Sequence, residues 1–174
     1  MSSCDRRSLL IRLGALAATL PVTACGFTPA YAPGAAANTL RNSVVPDDPA
    51  NRMGYYFIGQ IQSRLGPAST PRYRLSYRIT TRKVELAVTT EGSILRYNIV
   101  GEVSYSLKDI KTGATLFTGR ANSFTASAAT QATIAAQSAE QDANERLMII
   151  LADQVVAHLT AAASSFAEQP VSQP

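Results

Sequence analysis

The chain has 174 residues, of which 46% are hydrophobic and 16% charged, with a formal net charge of +4, two cysteines and one histidine. That inventory leaves no Cys/His cluster able to hold a structural zinc. The length suits one domain with a core of its own.

Arg6, Arg7 and Arg12 make the N-terminus positive, and residues 13 to 24 are uncharged. A spanning helix needs about 20 apolar residues, so this run is too short to cross a bilayer. Together with Pro21, Thr23 and Ala24 it has the layout of a signal peptide; a buried N-terminal helix of a cytosolic protein is the alternative. Val22-Thr23-Ala24-Cys25 resembles the lipobox of bacterial lipoproteins. The resemblance implies cleavage between Ala24 and Cys25, followed by an S-linked diacylglycerol and an N-linked acyl chain, such as palmitate, on Cys25. Cys4 then leaves with the leader and the Cys25 sulfur is blocked, so no disulfide can form. Arg6-Arg7-Ser8-Leu9-Leu10 also resembles a twin-arginine export signal, although paired arginines occur in ordinary leaders.

Residues 26 to 38 are rich in Gly, Pro and Ala and lack an apolar period, which reads as an extended tether. A short first strand is expected within residues 38 to 45, ending at Pro46. Asp47-Asp48-Pro49 looks like a helix start, a carboxylate cap followed by proline. Phe57, Ile58, Ile61 and Leu65 then recur at helical spacing until Gly66-Pro67, predicting a helix over about 49 to 65.

From Arg72 the period becomes two. Tyr73, Leu75, Tyr77 and Ile79 alternate with Arg72, Arg74, Ser76 and Arg78, which predicts a strand with one apolar and one charged face. Val84, Leu86 and Val88 shift the apolar set to even numbers, so a bulge or twist is expected near residues 80 to 83, unless the chain leaves the sheet there. Glu91-Gly92 marks a turn. Leu95, Tyr97, Ile99, Val103, Tyr105 and Leu107 alternate cleanly, and Lys111-Thr112-Gly113 closes a hairpin into a strand at about 114 to 125. From about 128 to 163 there is neither Gly nor Pro. A stripe of Ala139, Ala143, Leu147, Ile150, Leu151, Val155 and Leu159 predicts a helix roughly 50 Å long, which must overhang a small sheet or bend. Residues 164 to 174 read as a flexible tail.

The predicted division is therefore a removed leader over 1 to 24, a lipidated tether over 25 to 38, one α+β domain over 39 to 163, and the tail. The domain is a two-layer sandwich, with two helices on one face of a three- to four-stranded, mainly antiparallel or mixed sheet. The opposite face carries the arginines. Residues 41 to 120 hold twelve Lys or Arg against six Asp or Glu, whereas residues 121 to 174 hold one against five. Arg72, Arg74, Arg78, Arg82 and Lys83 fall in one 12-residue window without an acid, read either as a solvated strand face or as a site for anionic groups, which Arg grips with two parallel donors.

Catalytic patterns are missing. The sequence has no HExxH, Walker loop, GxGxxG or GxSxG. His158 follows Asp153 on the long helix without a nucleophile to serve, and reads as a surface or interface residue. Glu140, Asp142 and Glu145 read as the solvated side of the same helix. An exported lipoprotein rarely meets nucleic acid.

Several stretches together resemble the LptE family. They are Cys25-Gly26-Phe27-Thr28-Pro29-Ala30-Tyr31, Val45-Pro46 before the first helix, Thr90-Glu91-Gly92 leading into Arg96-Tyr97-Asn98, and residues 140 to 147 leading into Leu151-Ala152-Asp153. The resemblance implies two helices on a four-stranded sheet and a non-catalytic lipoprotein of the Gram-negative outer membrane, facing the periplasm. It further implies that the protein plugs the lipopolysaccharide-translocating β-barrel LptD, assists its assembly and helps lipopolysaccharide reach the outer leaflet. Gly26 fits outer-membrane sorting. Lipopolysaccharide carries phosphates and carboxylates, so Arg74, Arg78, Arg82, Lys83 and Arg96 are expected to contact that anion or the barrel wall. No cofactor is implied beyond the lipid on Cys25. The rival reading is a lipid-anchored periplasmic scaffold or carrier for another envelope complex.

Overall fold

Helical spacing gives way to alternation after Gly66, and the chain passes there from helix to sheet. The computed structural model describes residues 35–88, 94–128 and 133–167. The leader, Cys25, the Glu91-Gly92 turn and residues 168–174 lie outside the described residues. A 3-10 turn, Ala36–Leu40, precedes β1 (Val44–Pro46), α1 (Arg52–Leu65), β2 (Tyr73–Val88), β3 (Ile94–Asp109), β4 (Thr115–Ala128) and α2 (Thr133–Ala167). The four strands form one sheet in the order β1-β2-β3-β4, with β1 parallel to β2 and the other neighbours antiparallel. Both helices cover one face, as the α+β sandwich predicted from periodicity requires.

The first strand is shorter than its sequence suggested. Ala37 and Leu40 are buried in the 3-10 turn, so part of the expected tether and strand is instead a plug packed against α2. α1 begins two residues beyond the Asp-Pro pair, at Asn51, whose Oδ1 accepts the Gly54 N–H at 2.9 Å. Its stripe is placed as the spacing predicts, with Phe57, Ile58, Ile61 and Leu65 all buried. Gly66 ends it at φ +83°, a conformation costly for a side chain, and its N–H closes on the Gln62 carbonyl at 2.8 Å.

On β2 and β3 the odd residues face the helices: Tyr73, Leu75, Ile99, Val103, Tyr105 and Leu107 are buried. The bulge expected near residues 80 to 83 is absent. Pairing runs unbroken from Tyr73 opposite Asp109 to Glu85 opposite Tyr97, and the first irregularity follows Glu85. Val84 and Leu86 therefore lie on the face away from the helices, and Leu86 is 54% exposed. The helix side has no apolar demand there, because Lys83 meets Glu140 at 2.7 Å and lies over the Tyr97 ring. Asp109 closes the β3–β4 hairpin. Its carboxylate accepts the backbone N–H groups of Lys111 and Thr112, which hold it below the usual carboxylate range, and Gly113 supplies φ +70°.

α2 is as long as predicted but starts and ends later. With 16 residues at about 3.3 Å each, β2 and β3 span roughly 50 Å, about the length of the helix. The helix lies chiefly over β4 and β3, and no described residue of it before Ala143 is buried. Leu147, Leu151, Val155 and Leu159 fill the core as expected. Met148, Ala152 and Val156 join them, turned toward α1, whereas Ile150 is 38% exposed and not part of the packed stripe. The expected tail begins too early, since Phe166 is buried and meets the Tyr73 ring edge-on at 6.0 Å. Although α2 is long and apolar enough to cross a membrane, its apolar side is consumed by the sheet and α1.

The helices are also joined by polar contacts. Arg64 grips Asp153 with two bonds of 2.8 and 2.9 Å, and Gln60 adds a third of 2.8 Å. The Arg64 hydrogen bond, helped by Gln60, lowers the Asp153 pKa. A depressed carboxylate pKa contributes stability above the unfolded value and loses it as pH falls through the folded one. Asp153→Asn is therefore expected to lower the melting temperature by a few degrees at pH 7 and by almost nothing near pH 2, the difference closing below about pH 4. The cluster is partly exposed, so the loss at pH 7 should stay below about 1 kcal/mol. Melting curves of both proteins from pH 2 to 7 measure it.

Candidate functional site: the open face of the sheet

Helices cover one side of β2, β3 and β4, and the even residues of all three strands project from the other. Register places them in rows: Arg78 beside Ser104 and Arg120, Thr80 beside Glu102 and Asn122, and Arg82 beside Val100 and Phe124. Arg74 and Lys108 stand together at one end of this face, and Arg96 stands toward the other. Six cations, Arg74, Arg78, Arg82, Arg96, Lys108 and Arg120, thus share a surface whose strands offer one carboxylate, Glu102. Arg74 reaches Asp47 at 3.7 Å. Among the described residues the other five form no ion pair.

Four of the five basic residues singled out from sequence, Arg74, Arg78, Arg82 and Arg96, are brought together here. Lys83 is not. Its odd position turns it to the helix side, where Glu140 neutralises it; strand parity alone separates it from Arg82. Lys108 and Arg120 were missed, because each is isolated among polar residues in the sequence. Their even numbers, matching Arg96 across the hairpin, were the signal available.

Between Arg82 and Phe124, with Val100 as part of its floor, lies a shallow depression of about 390 Å³, rimmed by Thr80, Glu102 and Asn122. Phe124 is 61% exposed. The two flanking side chains stand two strand spacings apart, about 10 Å, so the depression offers a cation, hydrogen-bonding groups and one aromatic face together. Arginines spaced along a twisted sheet can each bind a different oxyanion of one extended ligand.

The histidine takes no part in this surface. His158 is on α2, and its Nδ1 lies 2.9 Å from the Tyr105 hydroxyl, with the rings stacked at 6.4 Å. Burial pushes the Tyr105 pKa up to about 12, so the phenol stays protonated and packs against Gly119, whose hydrogen leaves room that a Cβ would close to 2.5 Å. Asp153, its neighbour in sequence, is held by α1 instead. Among the described residues no three His, Cys, Asp or Glu side chains converge as a metal site.

The fold is thus a two-layer α+β domain whose bare sheet face is cationic. The match to known families is specific: residues 35–159 fit the LptE family, described as lipopolysaccharide-assembly, and the chain belongs to that family. No curated protein matches it. Among solved structures, a candidate lipoprotein from Caulobacter crescentus CB15 is similar over 76% of this chain and 97% of its own, at 22% identity and TM-score 0.63. The rare lipoprotein B from Shewanella oneidensis is similar over 73% and 98%, at 11% identity and TM-score 0.53. A minor lipoprotein from Acinetobacter baumannii is similar over 76% and 95%, at 15% identity and TM-score 0.52. At these identities the likeness is one of fold.

Proposed function

We propose that the protein is a non-catalytic outer-membrane lipoprotein, anchored through Cys25 after removal of residues 1 to 24, which plugs the LptD barrel and helps deliver lipopolysaccharide to the outer leaflet. The observation that carries this reading is the cationic open face on a chain of the lipopolysaccharide-assembly family. Six basic side chains with one carboxylate among them suit the phosphates and carboxylates of that glycolipid. A barrel lumen lined with polar groups suits a domain whose apolar surface is turned inward. The lipid anchor would hold the domain beside its barrel and raise its effective concentration there. The carrier alternative gains less support, since Leu75, Val103, Leu107, Leu147 and Leu151 fill the space between helix and sheet where a ligand would have to lie.

Arg78→Glu, Arg82→Glu and Arg120→Glu together are expected to weaken lipopolysaccharide binding at least tenfold at low salt, with unchanged circular dichroism. Unchanged affinity would reject the face as the anion site. Purification of the native protein from membranes tests the barrel separately. A stoichiometric large outer-membrane barrel in the eluate is expected, and its absence under mild extraction would favour the scaffold reading.

A further inference from the structure

β2 is 16 residues long, yet β1 covers only its start, pairing Val44 with Tyr73, Val45 with Arg74 and Pro46 with Leu75. The chain then leaves the edge at Asp47, whose N–H donates to the Leu75 carbonyl at 2.9 Å. Beyond that bond no described strand pairs with the outer edge of β2.

The direction of the free backbone groups follows from two bonds already made. The Tyr73 N–H donates outward to Ser43 at 3.0 Å, and the Leu75 carbonyl accepts from outside. Backbone direction alternates with period two along a strand, so the N–H and C=O groups of Tyr77, Ile79, Thr81, Lys83 and Glu85 also point outward. Exposed edges are commonly blunted by proline, glycine, a bulge or charge. Residues 76 to 85 contain no proline or glycine, and their pairing with β3 is unbroken. Only charge remains: Arg74, Arg78 and Arg82 line this strand, while Lys83 is taken by Glu140. β4, at the other side of the sheet, has Gly119 within it and one cation, Arg120.

Where β1 departs, a groove of about 290 Å³ opens between the β1–α1 loop and β2, lined by Asp47, Asp48, Asn51, Tyr77, Arg78 and Ile79. It has room for a side chain of an added strand. Its two aspartates favour an uncharged side chain there, with the incoming carboxylates on the opposite side of the added strand, against Arg78 and Arg82. The Tyr77 side chain lines the groove, with its hydroxyl tucked beneath Gly54.

We propose that the outer edge of β2, from Tyr77 to Glu85, takes up an extended acidic segment of a partner protein as an added strand. Its backbone continues the ladder that β1 begins, and its carboxylates lie against Arg78 and Arg82. Arg78 and Arg82 are shared with the open face, so alternating amide protection along the edge is what distinguishes strand addition from anion binding there.

The test uses the full mature chain, isotope-labelled, with a nine-residue peptide that alternates glutamate with valine and threonine. Saturating peptide is expected to slow amide exchange at least tenfold at Ile79, Thr81, Lys83 and Glu85, and to leave Thr80 and Arg82, already bonded to β3, unchanged. Of two versions N-methylated on opposite sets of alternate residues, one should bind at least tenfold more weakly than the other, because only one set faces β2. A version with lysine for glutamate should also bind at least tenfold more weakly. Absence of binding, binding without that alternating protection, or equal binding of the two N-methylated peptides would each overturn the proposal. Thr81→Pro removes one outward donor and should weaken binding similarly; the N-methylated pair keeps the test decisive on the unaltered protein should this variant not fold.

Discussion

Cys25→Ala is expected to abolish incorporation of labelled palmitate and to eliminate the species whose intact mass corresponds to an acylated chain starting at residue 25. The physical basis is the chemistry of a single thiol: in the lipobox reading only the Cys25 sulfur can take the diacylglycerol, and cleavage before residue 25 frees the amine that takes the further acyl chain. Each buried methylene contributes about 0.8 kcal/mol, and one myristoyl chain alone holds a protein only marginally. Two or three chains make release from the bilayer negligible, so the variant loses the entire anchor in one step. The folded domain should be untouched, because it is built from residues 35–167 and the core holds no cysteine. Intact mass of the native and altered proteins from membrane and soluble fractions decides the matter. A wild-type protein that begins at Met1, or that carries a bare thiol at position 25, contradicts the reading.

The fold was legible wherever one side chain in two or four had to be apolar. Phe57, Ile58, Ile61 and Leu65 announced α1, and Tyr97 to Leu107 announced β3, because burial on one face leaves a period that needs no knowledge of the partner surface. What was not legible depends on partners distant in sequence. From sequence, the shift of apolar residues to Val84 and Leu86 points to a bulge, a twist or departure from the sheet, since alternation assumes that the same face is buried along a whole strand. In the structure the face changes character instead: Lys83 finds Glu140 on the helix side, and the apolar pair is left on the open side. A carboxylate before Pro49 has the look of a cap, but Asn51, two residues beyond the proline, does the capping. Phe166 looked like part of a tail because its partner, Tyr73, lies far back in the chain. The basic face followed the same logic. Arg74, Arg78 and Arg82 were visible as a cluster in one strand, but Lys108 and Arg120 join them only through register across two hairpins.

The strongest expected effect on folding comes from the contact between α2 and the middle of the sheet. Gly101 of β3 has no side chain, and the helix closes on that gap: a Cβ at Gly101 would lie 3.0 Å from both Leu147 Cδ2 and Leu151 Cδ1. Both leucines are fully buried, and Thr125 of β4 holds the same helix by donating its hydroxyl to the Ala143 carbonyl at 2.9 Å. Backbone held this close to the helix on two sides has little freedom to collapse into a void. Leu147→Ala or Leu151→Ala should accordingly cost about 3–4 kcal/mol each, well inside the range for buried leucines rather than at its lower end. For a domain of this size that corresponds to a melting temperature lower by roughly 10–15 °C. The two side chains share Gly101 as a neighbour, so their double variant is expected to depart from additivity. Ile134, equally apolar and on the same helix but 82% exposed, provides the contrast, and Ile134→Ala should change stability by less than about 0.5 kcal/mol. Denaturant melts of the four proteins separate the two outcomes. Equal losses at Leu151 and Ile134 would contradict the seat over Gly101, because alanine raises helix propensity at both positions and only burial separates them.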